Sequence, residues 1–422
     1  MSNQLDINEI RLWDSLHKLA EIGATPEGGV RRLAYTPDDR AGRSYFVQQC
    51  ENLGMSIEKD GIGNIFATLL PENKAHQNLS IMVGSHLDSQ ANGGKFDGTY
   101  GVMCGLEIAR NLVQHKIPLE VCFELAVWAN EEGARFAPPM MGSGAFVGQF
   151  EISQLLKTKD LDGISVQDAL DEDDWLKSRP FRSDRKIAAY LESHIEQGPI
   201  LEKENKTIGV VTGAQAVRWL NVQIDGFQAH AGPTPMDCRN DAFLAACEVA
   251  LAAEKIALNH PPNGRATIGH AIVDDPSRNV IPGAVELWVD IRYPEEKNLE
   301  IMQQELKRQC LEIESSRGVK IRIESIWSMK ATHFNPNLIS LLRKQTNRLN
   351  LESMDMISGA GHDALHMALK YPTAMLFIPC KNGISHNPAE DIIKYDAAQG
   401  CQVLYDTLRP LLIDLNSIKG IT

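Results

Sequence analysis

Residues 80–103, SIMVGSHLDSQANGGKFDGTYGVM, and residues 119–136, LEVCFELAVWANEEGARF, decide how this chain folds. Ile81 to Gly84 and Leu119 to Trp128 are apolar runs with β-branched residues, of the length expected for strands buried on both faces. Between them Val102, Leu106, Ala109 and Val113 recur at helical spacing, so the stretch predicts a βαβ unit with parallel strands. His86 and Asp88 follow the first strand, Asp97 sits in a Gly-rich loop opening the helix, and Glu131 and Glu132 follow the second strand. Ligands of open α/β sheets bind beyond the carboxyl ends of the strands, which would gather these five side chains at one sheet edge. One imidazole among several carboxylates at such an edge points to a metal site.

Outward from this unit, residues 6–22 suit a helix capped by Asp6, with Ile10, Trp13, Leu16 and Leu19 on one face and Gly23 at its end. A second helix begins at Thr36-Pro37 and stops before Gly54. A short strand at Ile187 to Leu191 delivers His194, Glu196 and Gln197 just past its end, and a strand at Thr373 to Ile378 is followed by His386. Between these, strands at 218–225, 266–273, 285–292 and 320–326 alternate with helices at 241–258 and 298–315. That order, βαββαβ, belongs to a ferredoxin-like unit. The expected organisation is therefore an α/β domain with a mixed, mostly parallel sheet at 1–212 and 332–422, interrupted by an inserted ferredoxin-like domain at 213–331.

A net charge of -13 and a pI near 5.4 exclude a nucleic-acid or anionic-membrane surface, which needs a basic patch that this chain lacks. The eight cysteines form no CxxC pair and several fall in apolar runs, as in reduced cytoplasmic proteins. The polar start MSNQLDINEIRLWDSL has no secretory pattern, and no apolar run reaches membrane-spanning length. The expectation is a cytoplasmic protein.

Two metal ions about 3.5–4 Å apart need a bridging carboxylate and terminal ligands from several strand ends. Asp97 suits the bridge, with His86 and His194 on one ion and Glu132 and His386 on the other. Such mixed ligation fits zinc, manganese, cobalt or nickel, with zinc taken first. Asp88 is spaced to hold the second ring nitrogen of His86, and Glu131 is placed as general base toward a water at the centre. Each piece has a plainer reading: an Asp cap, a Glu pair at a helix start, a loop histidine. The coincidence of four segments, each setting a ligand-type residue beside a strand end, favours the metal centre.

With GSHLDSQANGGKFDG, WANEEGARFAPPMMGS, ESHIEQGPILE, HAGPTPMDCRND, SRNVIP with DIRYPE, and SGAGHDA with GISHNPAED, nearly the whole chain resembles the hydantoinase/carbamoylase branch of the M20 metallopeptidase superfamily. That branch holds N-carbamoyl-L-amino-acid hydrolases, β-ureidopropionases and allantoate amidohydrolases. The resemblance implies a di-metal catalytic domain with the insertion as lid and homodimerisation domain. It also implies that Gln197, His230, Asn279, Arg292 and the Gly361 backbone contact substrate, with His230 serving catalysis in the partner subunit. Taken without the resemblance, Arg292 reads as a surface charge and Asn279 as a turn residue. Peptidase members carry an acidic ligand at the position of His194, so the histidine argues against an aminopeptidase. The implied activity is cleavage of the ureido C–N bond of N-carbamoyl amino acids, α or β. Allantoate amidohydrolase is the alternative, followed by a peptidase or aminoacylase and by a non-catalytic metal-binding protein.

Overall fold

A computed structural model of the chain describes residues 6–421. The chain divides into two compact units, the first running to Gly213 and resuming at His333, the second covering Ala214–Thr332.

The first unit is built on a nine-stranded sheet whose middle runs Cys122–Trp128, Leu79–His86, Lys186–Ile195, Thr373–Ile378. These four strands are parallel. Ile65–Leu69 and Ser56–Lys59 extend one side antiparallel, and Ile208–Ala214 runs antiparallel to Thr373–Ile378 on the other. The parallel centre is buried along its length, consistent with strands that read as continuous apolar runs. Helix Thr99–Gln114 lies directly on this centre. Gly101 and Gly105 permit the close approach: a Cβ at either would collide with the Ser193 carbonyl or the Leu125 side chain.

Register sets the edge that matters. His86 is level with Trp128, so Glu131 and Glu132 begin three residues further on. Val83 pairs with Leu191, and three more residues along each parallel strand bring His86 level with His194. His194 therefore lies inside a strand, Lys186–Ile195, that is longer than the Ile187 to Leu191 run suggested. Polar Glu192 is carried in the buried sheet by satisfied hydrogen bonds: Ser85 Oγ, Tyr190 OH and the Ala364 N–H donate to its carboxylate at 2.9, 3.0 and 2.9 Å.

The first helix spans Glu9–Ala20, and Asn8, not Asp6, caps it by accepting the Arg11 N–H. The Asp6 backbone N–H donates instead to Gln402 Oε1 at 2.8 Å, so the chain ahead of the cap is committed to a tertiary contact. The strand anticipated from Leu119 begins at Cys122, and two strands, Ile208–Ala214 and Ser353–Ser358, were not anticipated.

The second unit is a four-stranded antiparallel sheet ordered Lys320–Met329, Ala216–Asp225, Ala284–Tyr293, Arg265–Val273. Helices Ala242–Leu258 and Glu296–Arg317 pack with it around Val222, Ile224, Val249, Leu287 and Leu306. Asp241 caps the first of these helices, accepting the Phe243 and Leu244 N–H groups. A separate two-stranded ladder pairs His230 with Val280, and Ala231 N–H donates to the Asn279 carbonyl at 2.8 Å. Among the described residues no helix is long and apolar enough to cross a membrane.

Candidate metal centre

Asp97 stands at the turn between two ligand groups. The first is His86, Asp97 and His194; the second is Asp97, Glu132 and His386; in each group the donor atoms lie within 4.8 Å of one another. One carboxylate oxygen serves each group. Oδ1 is 3.5 Å from His86 Nε2 and 3.2 Å from His194 Nε2, while Oδ2 is 3.4 Å from His386 Nε2. His386 Nε2 is also 3.3 Å from Glu132 Oε2. The first group is fully buried, whereas the His386 side chain is 48 % exposed and its backbone adopts φ 54° in a loop.

The turn that presents Asp97 requires glycine next to it. Gly98 has φ 64°, and a Cβ there would run into the His86 imidazole. The other ring nitrogens are held: His86 Nδ1 is 2.9 Å from the Asp88 carbonyl, and His194 Nδ1 is 2.9 Å from the Ile195 carbonyl. Both imidazoles thus aim Nε2 into the centre. The Asp88 side chain does something other than the sequence suggested. Its carboxylate is 3.9 Å from His86 Nδ1 and accepts the Glu131 and Glu132 backbone N–H groups, each at 3.2 Å. A carboxylate satisfies the two otherwise unpaired donors of the turn, while the carbonyl suffices for the ring.

Glu131 is 7 % exposed and sets Oε2 3.4 Å from His86 Nε2. Gln197 donates from Nε2 to Asp97 Oδ2 at 2.7 Å, and its Oε1 is buried without a hydrogen-bond partner among the described residues. Gly361 lies in the loop before helix Asp363–Met367.

The remaining sequence candidates lie in the second unit. The Gly232 N–H donates to His230 Nδ1 at 3.1 Å, which puts the proton of the neutral ring on Nε2. His230 does not cap the neighbouring helix, a role taken by Asp241. Ser277 Oγ donates to Asn279 Oδ1 at 2.9 Å. Arg292 is held by Asp290, through Nε to Oδ1 at 2.9 Å and Nη2 to Oδ2 at 2.6 Å, so it is not a simple surface charge.

Three residues at the first unit's site escaped sequence reasoning. His362 is buried, with its ring centroid 4.5 Å from that of His194 and Nε2 3.0 Å from Ser358 Oγ. Asp363 is fully buried beside it. Glu390 is buried and bonded to the Asp97 turn. The signals were present: His362 and Asp363 follow Gly361 directly, and Glu390 stands four residues after His386.

The electrostatics test whether cations fit. Burial disfavours charge throughout, but the carboxylates Glu131, Asp97 and Asp88 outweigh it at His86 and hold that imidazole well above its usual range. At Asp97 burial is likewise overcome, by His194, His386 and His86, and the carboxyl is held well below its usual range. Burial and the Asp97 charge push Glu132 up to about 7. Burial, with Asp363, Glu132 and Asp88 adding to it, lifts Glu131 far above a normal glutamate. His386, bonded to Asp97, rises to about 9. His362 is held well below the usual imidazole range, by burial and by the neighbouring His194. The cluster thus draws protons where its donor set is suited to cations, and three imidazoles with two carboxylates match the preferences of divalent transition metals.

Residues 82–409 match peptidase family M20/M25/M40. The chain is 40% identical over 399 residues to an N-carbamoyl-L-amino-acid amidohydrolase from Rhizobium meliloti, covering 94% of this chain and 95% of that protein. It is 35% identical to a ureidoglycolate hydrolase from Oryza sativa subsp. japonica, covering 93% of this chain and 82% of the relative. Among solved structures, a hydantoinase/carbamoylase family amidase from Burkholderia multivorans superposes with TM-score 0.89 at 42% identity, over 97% of this chain and 98% of that one.

Proposed function

The chain belongs to peptidase family M20/M25/M40, in its hydantoinase/carbamoylase branch, and from that premise we propose that it is an amidohydrolase cleaving the ureido C–N bond of N-carbamoyl amino acids. The products are the amino acid, CO2 and ammonia. One observation carries the reading: Asp97 gives one oxygen to each of two ligand groups, with Glu131 beside them.

His86, His194 and Asp97 would hold one divalent ion, and Asp97, Glu132 and His386 a second, zinc being the first choice and manganese, cobalt or nickel alternatives. Ions held there supply Lewis acidity toward a carbonyl and make nearby water more acidic. Glu131 takes the proton of the attacking water at its carboxylate and returns it to the leaving nitrogen, so the base is regenerated within one turnover. Asp88 keeps Glu131 and Glu132 in place through their backbone N–H groups. Gln197, anchored on Asp97, directs its unpaired Oε1 to accept a substrate N–H. The Gly361 backbone offers a further polar contact.

We assign His230 to stabilising the oxyanion through Nε2–H, and Asn279 and Arg292 to the substrate carboxylate, Arg292 offering a planar pair of donors. The second unit is the lid and dimerisation domain in this reading, and the first the catalytic domain. A homodimer is supported by Leu244, Leu251 and Leu258, an exposed apolar stripe on helix Ala242–Leu258. Eight free cysteines, six of them buried, favour a cytoplasmic setting.

The ureidoglycolate hydrolase relatives favour a second reading within the same chemistry, in which allantoate or a related ureido acid is the substrate. A panel of N-carbamoyl-L-amino acids, N-carbamoyl-β-alanine, allantoate and dipeptides, assayed for ammonia or new amine, tests both. Preference for carbamoyl amino acids supports the proposal, a tenfold preference for allantoate installs the second reading, and turnover of dipeptides alone rejects both. Activity should vanish on chelation and return with a divalent transition metal.

A further inference from the structure

The carboxyl group of Glu390 has no part in the reaction described above, yet it is bonded to both loops that form the exposed half of the centre. Its Oε1 accepts the Phe96 N–H at 2.8 Å and the Asp97 N–H at 3.1 Å. Its Oε2 lies 2.9 Å from Ser385 Oγ, and that same hydroxyl is 2.6 Å from Asp97 Oδ2. Ser385 immediately precedes His386, so one buried side chain ties the turn carrying Asp97 to the loop carrying His386. The space it fills is made by Gly94, where a Cβ would overlap the Glu390 carboxyl group.

The two halves of the centre differ in what holds them. His86 and His194 stand on neighbouring central strands whose parallel ladder pairs Val83 with Leu191, three residues before each. His386 stands on a loop with a left-handed backbone and a half-exposed side chain. Nothing in the sheet sets its distance from Asp97 Oδ2, so a tie between the loops must do so. We infer that Glu390 is a positioning residue that keeps Asp97 Oδ2 in register with His386 and Glu132, and so governs one ion of the pair selectively. The inference rests on the binuclear reading.

Supports of this kind commonly contribute roughly 10–100-fold to metal affinity. The test is a titration of the full-length, metal-stripped protein with Zn²⁺ against a chromophoric chelator, which reads each binding step without any assay of turnover. Wild type is expected to take up two ions. Glu390→Ala should weaken one step by roughly 10–100-fold and leave the other unchanged. Glu390→Gln should restore much of it, because its oxygen still accepts two N–H groups and its amide still meets the Ser385 hydroxyl. Gly94→Ala, which crowds the carboxyl out of its pocket without removing it, should reproduce the alanine phenotype should Glu390→Ala not fold. A merely structural residue would weaken both steps alike and lower the melting temperature. Two unaltered steps in both Glu390→Ala and Gly94→Ala, or equal weakening of both steps, overturns the inference while leaving the binuclear centre standing. A wild-type protein that takes up a single ion overturns the binuclear reading and this inference with it.

Discussion

Glu131 Oε2 stands 3.4 Å from His86 Nε2, the nitrogen that also faces Asp97 Oδ1 at 3.5 Å. A carboxylate in that position reaches the centre of the site without being part of either ligand group. Glu131→Gln keeps the shape and removes the base. We expect kcat to fall by roughly 10²–10⁴-fold, the usual contribution of a positioned base, with metal content and KM unchanged. Steady-state kinetics alongside elemental analysis check this; a variant that turns over like wild type removes Glu131 from the reaction.

His230 belongs to the second unit and presents Nε2–H from the two-stranded ladder. If it completes the site of the partner subunit, mixing inactive His230→Ala with inactive Glu131→Gln protein regains activity, since a heterodimer holds one site with both residues intact. Mass spectrometry of the mixture establishes subunit exchange. Exchange without recovery assigns His230 to its own subunit.

Arg292→Lys keeps the charge but loses the planar fork held by Asp290. For N-carbamoyl amino acids KM should rise by roughly 10–100-fold, a loss of about 1.4–3 kcal/mol from a bidentate charge-assisted pair. The matching carbamoyl amides, lacking the acid, should be poor substrates for wild type and little changed by the substitution. Equal kcat/KM for acids and amides in wild type would contradict the assignment.

His366 bears on acid stability. It is buried, with Nδ1 3.1 Å from Ser143 Oγ and its ring edge-on to Phe150, and burial pushes its pKa down to about 4. The unfolded chain therefore takes up this proton more readily between pH 6.5 and 4, so the stability tied to the neutral ring is full above pH 6.5 and is lost as pH falls toward 4. At 1.36 kcal/mol per unit the difference reaches about 3 kcal/mol. Denaturant unfolding at pH 7.5 and 4.5 should show His366→Gln losing about 2–3 kcal/mol less than wild type between those values; equal losses would show that the ring protonates freely in the fold.

The parallel centre and the candidate side chains at its edge were legible because their signals are local. Buried parallel strands read as apolar runs, and His86, Asp97, Glu132 and His194 sit beside them. The inserted βαββαβ order was legible for the same reason, since each element carries its own periodicity. What stayed hidden depends on partners distant in sequence. Glu390 has meaning only once Phe96 and Asp97 are folded against it, nearly three hundred residues away along the chain. The Asp88 carboxylate turned from a ring nitrogen to two backbone N–H groups because the turn at Glu131 offered unpaired donors that spacing does not reveal. Asp6 lost its cap to Asn8 through a bond to Gln402, which no local pattern foretells.

Ile208–Ala214 and Thr332–His333 are neighbours in the first unit's sheet, and the Phe334 N–H donates to the Thr212 carbonyl at 3.0 Å. The second unit leaves and re-enters through a doorway one strand wide. In chain connectivity it is a loop between two neighbouring strands grown to a domain, and loop closure costs rise only slowly with loop length. A few Gly and Ser residues joining 214 to 332 would replace that loop. All five proposed metal ligands lie outside the excised stretch, while His230, Asn279 and Arg292 lie within it. The trimmed protein should fold, bind its ions and turn over nothing, separating possession of the centre from its use.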